Sequence, residues 1–492
     1  MKNPFDDNLR NVFLALDPTL IRMTQDVTLI PVSADRHPAN PILVRGAHGT
    51  HSEQRVGSPA VRFEDNRFRM WYSAGDGRFF QYGGGPISQY QDSLEGLWLC
   101  YAESRDGLHW ERPCLGQVTF EDSTTNNIFG RGQAPAFLYD PSDPIPERRY
   151  KLAFDWWSTR EEIPCGTYKA FSLDGTHWTW DFSGYEHESM ECPAVFKWKG
   201  QYKMCVQAFD PLVRTPDPGG HARRVNVMYT SSDFGTWNRI PGVAFQIPRS
   251  DPCRPGFDPQ THLGIAVFPT ERFCIGIYGR FIAKSSDQAD TRTSLGLCIS
   301  DDGHHFFEPF NQFDLVPRPR DDTAWDAHML CQNPSSLVEV GDNWWMYYGG
   351  SRGGNVWNGI SAIGIAIWRK HGLAYYTSLH ESCDGVLQTW PLKVPAGVQE
   401  LTVNAVVPER TSVHIRLSVD GMEYEGTVNA GDSVCLPVSW STPVDWNTLA
   451  GKPVEYSFVI RGCPGATRLY SWEYHVKEQE LQSPTNASRV TE

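Results

Sequence analysis

The chain predicts an all-β fold, a five-bladed β-propeller followed by a C-terminal β-sandwich, on three observations: its composition, a phrase recurring at blade-length intervals, and a change of pattern near residue 371. The 492 residues include 18 Trp, 19 Tyr and 25 Phe with 43 Gly and 35 Pro, a mixture that favours short strands and tight turns over long helices. The recurring phrase is a strand and a turn: YAESRDGLHW (101 to 110), KAFSLDGTHW (169 to 178), MYTSSDFGTW (228 to 237) and LCISDDGHHF (297 to 306). Its closing aromatics, Trp110, Trp178, Trp237 and Phe306, stand 68, 59 and 69 residues apart, and a degenerate fifth copy, IAIWRKHGL, ends at Leu373 after 67 more. In such a phrase Ser and Asp side chains bond the backbone of a tight turn, Gly supplies a left-handed residue, and the aromatic packs back.

Ahead of each copy lies an apolar strand, a turn and a second aromatic-rich strand, as in SPAVRFEDNRFRMWYSAGD, APAFLYDPSDPIPERRYKLAFDWW and CPAVFKWKGQYKMCVQAFD. Each unit is therefore a four-stranded antiparallel sheet, and five sheets too thin to bury their own faces pack radially. Beyond Gly372 the repeat gives way to strict alternation in LTVNAVV, VHIRLSVDG, VEYSFVIRG and LYSWEYHV, the pattern of a sandwich. The predicted domains are 1–371, a catalytic propeller; 372–478, a sandwich read as structural more than as a carbohydrate-binding module; and 479–492, a polar disordered tail.

Forty-four Lys and Arg against 58 Asp and Glu give a net charge of −14, which argues against a broad basic surface for nucleic acid or anionic lipid. The expected partner is a small-molecule or oligosaccharide substrate, with the oligomeric state left open. No apolar run approaches the roughly 18 residues of a membrane span. MKNPFDDNLRNVF carries aspartates where a signal peptide is apolar, so the expected location is cytoplasmic. The twelve cysteines lack C-x-x-C spacing and are read as reduced core residues, without a metal site. Gly83 to Gly85 are followed by no phosphate-loop lysine and read as an insertion over the channel, and no cofactor is expected.

In a blade, the inner strand starts at the mouth of the channel to which the second strand returns. Inner-strand starts are Ser58, Ala134, Glu191 with Cys192, His262 and Asn333; second-strand ends are Asp76, Asp155, Asp210, Arg280 and Arg352. Charges that close strongly apolar strands are costly to bury unless they meet solvent, a partner or a ligand. They predict one polar mouth ringed by Trp71, Trp156, Trp157, Trp325 and Trp345, suited to sugars because aromatic faces stack on the ring while carboxylates bind hydroxyls. The competing reading is a set of turn-capping aspartates and salt-bridged arginines that hold blades together. His328, beside Asp326 and Trp325 in DDTAWDAHMLCQNP, is a candidate proton donor, hydroxyl ligand or holder of a central cation, or a hydrogen-bonded structural histidine. Arg280 and Arg352 point to a carboxylate, phosphate or other electron-rich group on the substrate, which guanidinium binds bidentately.

Met190-Glu191-Cys192-Pro193-Ala194-Val195-Phe196 resembles the glutamate-cysteine-proline motif of glycoside hydrolase family 32, the invertase and fructanase family, in which it opens the third blade and its Glu is the general acid. The five-bladed plan, the turn phrase and the trailing sandwich also resemble families 43 and 68, over roughly residues 12 to 478. The likeness is strongest to bacterial family-32-like proteins, which share phrases such as HPANPILV and MWYSAG. It implies a glycosidase with Glu191 as acid. Two of the usual three carboxylate positions are not matched, since Gly57-Ser58-Pro59 and Gln133-Ala134-Pro135 stand where those families place aspartates. Asp155 and Asp76 are the nearest replacements in blade order, and Glu53, just before the first inner strand, is a further candidate. Three functions stay open at this point: a glycoside-cleaving enzyme, a non-hydrolytic isomerase, lyase or cyclase using the same pocket, and a carbohydrate-binding protein without catalysis.

Overall fold

A computed structural model describes residues 1–76, 78, 96–156, 166–185, 191–209, 224–248, 259–283, 290–333, 335–353 and 360–477. They form two units, residues 1–10 with 31–370, and residues 11–30 with the chain from 371 onward. The first is the five-bladed propeller. Blade one runs outward from its inner strand Arg55–Glu64 through Arg67–Gly75 and Leu97–Ser104 to Ile128–Arg131. Blade two is Gln133–Tyr139, Tyr150–Trp156, Gly166–Ser172 and Thr179–Tyr185; blade three is Glu191–Trp198, Gln201–Phe209, Arg224–Ser231 and Asn238–Arg239. Blade four is Gln260–Pro269, Cys274–Ala283, Thr291–Ser300 and Asp314–Val316. Blade five uses Met329–Cys331 and Leu337–Val340 as its split inner strand, then Asn343–Arg352 and Ile360–Arg369.

The outer edge of blade five is not made by the residues that follow it. Asp35–Arg36 and Leu43–Val44, from near the start of the chain, pair antiparallel with Ile360–Arg369. Arg36 Nε donates to Asp326 Oδ2 at 2.9 Å, and the same oxygen accepts the Tyr348 hydroxyl at 2.8 Å. The ring is thus closed by early residues on the last blade, and Asp326, 1% exposed, belongs to that closure.

The predicted turn phrase builds the contacts between blades. In blade two, Ser172 Oγ accepts the Gly175 N–H at 2.8 Å, and Asp174 Oδ1 accepts the N–H groups of Thr176 and His177, both at 2.8 Å. Gly175 is left-handed, with φ +77°, and a Cβ there would lie 2.9 Å from the Trp71 ring of blade one. Trp71 Nε1 donates to the Gly175 carbonyl at 2.6 Å and its ring stacks on Phe137 at 3.9 Å. Blade one repeats the arrangement against blade five, where the Tyr347 hydroxyl donates to the Gly107 carbonyl at 3.1 Å. Blade three departs from it: Phe234 takes the left-handed position, φ 60°, and buries its ring against Tyr202 and Trp237.

Each inner strand of blades one to four carries a bulge near its start. Pairing shifts between Gly57 and Ala60, Gln133 and Ala136, Glu191 and Ala194, and His262 and Ala266. Ser58, Ala134 and Leu263 sit in the bulges at φ 49°, 51° and 65°, a conformation costing a non-glycine residue about 1–3 kcal/mol. Side-chain amides hold it. Asn333 Nδ2 donates to the carbonyls of Ser58 (2.8 Å) and Pro135 (3.0 Å), and Gln332 Nε2 to those of His262 (2.9 Å) and Gly264 (3.0 Å). Ala134, Leu263 and Cys331 close together as a small buried cluster.

At the far ends of the inner strands residues 1–10 lie across the propeller. Asn3 exchanges hydrogen bonds with the Phe63 backbone at 2.9 and 3.0 Å, Phe5 packs on Phe268 and Trp344, and Asp6 pairs with Arg62 at 2.8 Å. A cavity of about 320 Å³ remains there, among Phe5, Arg62, Asp140, Lys197 and Phe268. Of its charges, Lys197 is paired with Asp140 at 2.8 Å and Arg62 with Asp6 and Glu64, while Lys199 lies over the Trp198 ring.

The second unit is a continuous sheet folded over one apolar core that includes Leu401, Val403, Ile415, Leu417, Phe458, Trp472 and Tyr474. Residues 11–30 belong to it, which corrects the sequence-based boundary of 1–371 for the propeller. Val12–Leu14 pairs with Arg468–Val476 and Ile21–Gln25 with Gly385–Thr389, and such ladders join strands by register, whatever their distance along the chain. The tail from 479 lies outside the described residues. Among those described, no helix is long and apolar enough to cross a membrane, and no cysteine is in a disulfide: Cys100, Cys205, Cys274, Cys298 and Cys331 are buried, Cys114, Cys383, Cys435 and Cys463 exposed.

The blade contacts give a stability test. Gly175→Ala forces a left-handed alanine against Trp71 and should lower the unfolding free energy by about 1–3 kcal/mol. The measurement is urea denaturation followed by tryptophan fluorescence, and an unchanged midpoint would show that this turn does not bind blade two to blade one.

Candidate functional site

The bulges align one position on each of four inner strands. Immediately before the bulge stand Gly57, Gln133, Glu191 and His262, whose register partners on the second strands are Ser73, Asp155, Gln207 and Gly279. Gln332, whose amide reaches blade four, lies beside them from blade five. Of these inner-strand positions only Glu191 is a carboxylate. Its backbone lies in the strand Glu191–Trp198; its side chain, with those of Cys192 and Pro193, lies outside the described residues, as do Trp157, Asp210 and Gly83 to Gly85.

Asp155, the register partner of Gln133, is 1% exposed and accepts the Thr167 hydroxyl at 2.9 Å. Ala153, two residues earlier, packs in the core shared with Val195 and Met204 of blade three. Side chains alternate along a strand, so Asp155 faces blade three, whose inner strand begins at Glu191. Trp156 consequently faces the other way, into the core with Trp71 and Phe154. It is buried, and its indole N–H has no hydrogen-bond partner among the described residues.

Between blades three and four the mouth is floored by buried polar groups. Gln207 Oε1 accepts the Leu263 N–H at 2.9 Å, Gln260 Oε1 the Arg224 N–H at 3.0 Å, and Arg224 Nη1 lies 2.9 Å from His262 Nδ1. Burial, with Arg224 and Arg55 close by, pushes the His262 pKa well below its usual value. His262 is therefore a neutral imidazole at pH 7, oriented by Arg224.

Five side chains of blades four and five form the next stretch of rim. They are Arg280, Arg292, Arg318, His328 and Arg352, all half-buried. Arg280 pairs with Asp314 at 2.5 Å. Arg292 Nη1 donates to the Thr291 carbonyl at 2.9 Å, Arg318 Nη1 to that of Ala327 at 3.1 Å and Arg352 Nη1 to that of Thr323 at 2.7 Å. His328 Nδ1 accepts the Gly353 N–H at 3.0 Å. Burial lowers the His328 pKa, and the charges of Arg292, Arg318 and Arg352 lower it further against an opposing effect of Asp322. The ring is neutral at pH 7, and with Nδ1 accepting, its proton is on Nε2.

The remaining predicted residues lie elsewhere. Trp71 is fully buried between blades one and two, because the turn of blade two needs its indole. Trp345 stands near the start of Asn343–Arg352 and packs edge-on to His37 at 4.9 Å, seven residues from the rim end of that strand. Trp325 stacks on Tyr348 at 5.8 Å, beside the Arg36–Asp326 closure. Asp326 thus serves the ring and not the rim pocket. Glu53 turns onto its own loop, where it accepts the Gly49 N–H at 2.6 Å and lies 2.7 Å from His48 Nδ1. Asp76 accepts Arg78 Nη2 at 2.6 Å, the Arg78 backbone N–H at 2.8 Å and Trp98 Nε1 at 2.9 Å. Burial opposes its charge, but the hydrogen bonds from Arg78 and Trp98 outweigh it and hold the carboxyl below the usual range.

Arg292, Arg318, Arg55 and Arg224 were not singled out from the sequence. Two carried a signal: third strands begin at the mouth where second strands end, and Arg224 and Arg292 stand at such starts. Arg318, in a loop, carried none.

No family model matches the chain, and no curated protein matches it. It is similar to a solved glycosyl hydrolase from Bacteroides ovatus, 15% identical with a TM-score of 0.41, over 69% of this chain and 94% of that one. It is also similar to a structure described for the glycoside hydrolase family 130 of mannoside phosphorylases, which contains hydrolases targeting β-1,2 mannosidic linkages in Candida mannan; there the identity is 16%, the TM-score 0.42 and the coverage 69% and 94%. A family 43 arabinoxylan arabinofuranohydrolase from Bacillus subtilis is 12% identical, with a TM-score of 0.40, over 90% and 99%. Family 32 is not named among these structures.

Asp76→Ala tests the clamp at the rim of blade one. It leaves the buried Trp98 N–H without its acceptor and should destabilise the fold by about 1–3 kcal/mol. Thermal unfolding at neutral pH measures the loss, and an unshifted Tm would remove Asp76 from the list of structural residues.

Proposed function

We propose that the protein is a carbohydrate-active enzyme that cleaves a glycosidic bond at this mouth, with Glu191 as general acid and Asp155 as its partner carboxylate. The observation that carries the reading is the place of Glu191, the single carboxylate among the inner-strand positions that the bulges align. Asp155 supports it, since it lies on the register rung of Gln133 and faces the blade that Glu191 opens. A carboxylate taken from the inner strand of blade two is in this reading supplied by the strand beside it.

The chemistry follows from two carboxyl groups on opposite sides of a sugar. One delivers a proton to the departing oxygen, and the other attacks the anomeric carbon or activates a water to do so. The hydrogen bond from Thr167 fixes the orientation of Asp155. His262 and Gln207 stand on the adjoining rungs, and neutral donors of this kind suit sugar hydroxyls.

Glu191→Gln keeps size and hydrogen bonding but has no proton to transfer, so kcat should fall by about 10² to 10⁴ with substrate binding retained. The loss should shrink on aryl glycosides with acidic phenols, which need less protonation in the transition state. Asp155→Asn should fall as far on both substrate types, because attack or water activation does not depend on the leaving group. Steady-state kinetics of the purified variants on a panel of aryl and alkyl glycosides gives the answer. An unchanged kcat for Glu191→Gln removes it from the reaction.

A further inference from the structure

The arginine cluster of blades four and five is placed beside the proposed catalytic positions yet has no part in breaking the bond. It is built from five separate elements: the second and third strands of blade four (Arg280, Arg292), the loop after its outer strand (Arg318), the residue ahead of Met329 (His328), and the end of the second strand of blade five (Arg352). Among the described residues, three carboxylates accompany it. Asp314 is held by Arg280 and by the Ser294 hydroxyl; Asp322 acts on Arg318 and His328 through space; Asp321 is fully exposed and bonded to Thr323. Among the described residues, neither Arg318 nor Arg352 has a carboxylate at ion-pair distance. Each has one Nη on a backbone carbonyl, which fixes the plane of the guanidinium and leaves its other N–H groups for a ligand.

Arg318 and Arg352 are thus half-buried like charges that carboxylates of the chain, Asp322 and Asp321, reach only through space, an arrangement that a ligand's negative charge favours. Burial together with the nearby charges of Arg292 and Arg280 lowers the pKa of Arg318, as such crowding requires. The crowding is local, since the chain as a whole carries a net charge of −14. His328 adds an uncharged N–H donor at Nε2 to the same cluster.

We infer that this cluster binds an oxyanion carried by the sugar, a carboxylate or a phosphate monoester, so that the substrate is an anionic glycoside. Guanidinium forks match the two oxygens of either group, and the cluster lies on blades four and five at the mouth where the inner strand of blade three starts with Glu191 and the second strand of blade two ends near Asp155. The inference rests on the glycosidase reading for the identity of the ligand, but its test does not need turnover.

The test is binding by the full-length protein, measured by isothermal titration calorimetry with free sugars: glucuronate and galacturonate for the carboxylate, glucose 6-phosphate for the phosphate, and glucose and galactose as neutral counterparts, with inorganic phosphate as the bare oxyanion. The expected result is that at least one anionic sugar binds at least 10-fold more tightly than its neutral counterpart and than inorganic phosphate. Arg318→Gln and Arg352→Gln should each weaken that binding by about 10- to 100-fold, the loss expected for a charged hydrogen bond, with little change for the neutral sugar. Thermal unfolding checks that these variants are folded, and Arg318→Lys and Arg352→Lys, which keep the charge, stand in for any that is not and should also bind more weakly. Glu191→Gln should bind the anionic sugar as the parent does. If that binding survives while every glycoside resists cleavage, the glycosidase reading fails and the anion site stands. Equal affinity for anionic and neutral sugars, an unaltered preference in the arginine variants, or inorganic phosphate binding as tightly as any anionic sugar would overturn the inference.

Discussion

Two neighbouring amides on the propeller axis, those of Gln332 and Asn333, hold the inner strands of blades one, two and four to blade five. Apolar packing between blades is strong but non-directional; it brings sheets together without fixing how far one slides along another. Hydrogen bonds to the carbonyls of Ser58, Pro135, His262 and Gly264 supply the missing direction. They also sustain the left-handed backbone at Ser58, Ala134 and Leu263, which none of those residues would adopt unaided. The bulges in turn put Gly57, Gln133, Glu191 and His262 at one level of the mouth. The candidate site therefore depends on two side chains that are no part of its chemistry.

Around that hub the most conspicuous residues of the sequence hold the ring together. Trp71 and Tyr347 donate to turn carbonyls of the next blade, and Asp326 receives Arg36 from the strand that closes the circle. Stacking surfaces and rim charges read from the sequence are here consumed by assembly, because an open ring of thin sheets leaves two blade faces unburied. Asp76 follows the same logic, its oxygens occupied by Arg78 and Trp98.

What is left for a ligand is divided around the mouth. Blades two and three contribute the carboxylate positions, Asp155 and Glu191. Blades four and five contribute the neutral imidazoles of His262 and His328 and the arginines. On the reading proposed above, a sugar bound across such a mouth would turn its reactive carbon toward one side and a charged substituent toward the other.

The sequence by itself determined the fold class, the blade count, the turns and the position of Glu191. Each of these is written in local spacing: a left-handed glycine after Ser-x-Asp, a proline after the bulge residue at Pro59, Pro135 and Pro193, alternation along each strand. It could not determine partners across the ring. That Trp71 faces a turn some hundred residues on, that Arg36 closes on Asp326, and that residues 11–30 join the second unit are consequences of which strands meet. The same holds for the site. Asp155 and Asp76 end second strands and read alike, yet one faces blade three, whose inner strand opens at Glu191, and the other is locked by Arg78 and Trp98. Arg292 and Arg318 acquire their meaning only beside His328 and Arg352, because a cluster of like charges is a property of distance in space and leaves no spacing in the chain.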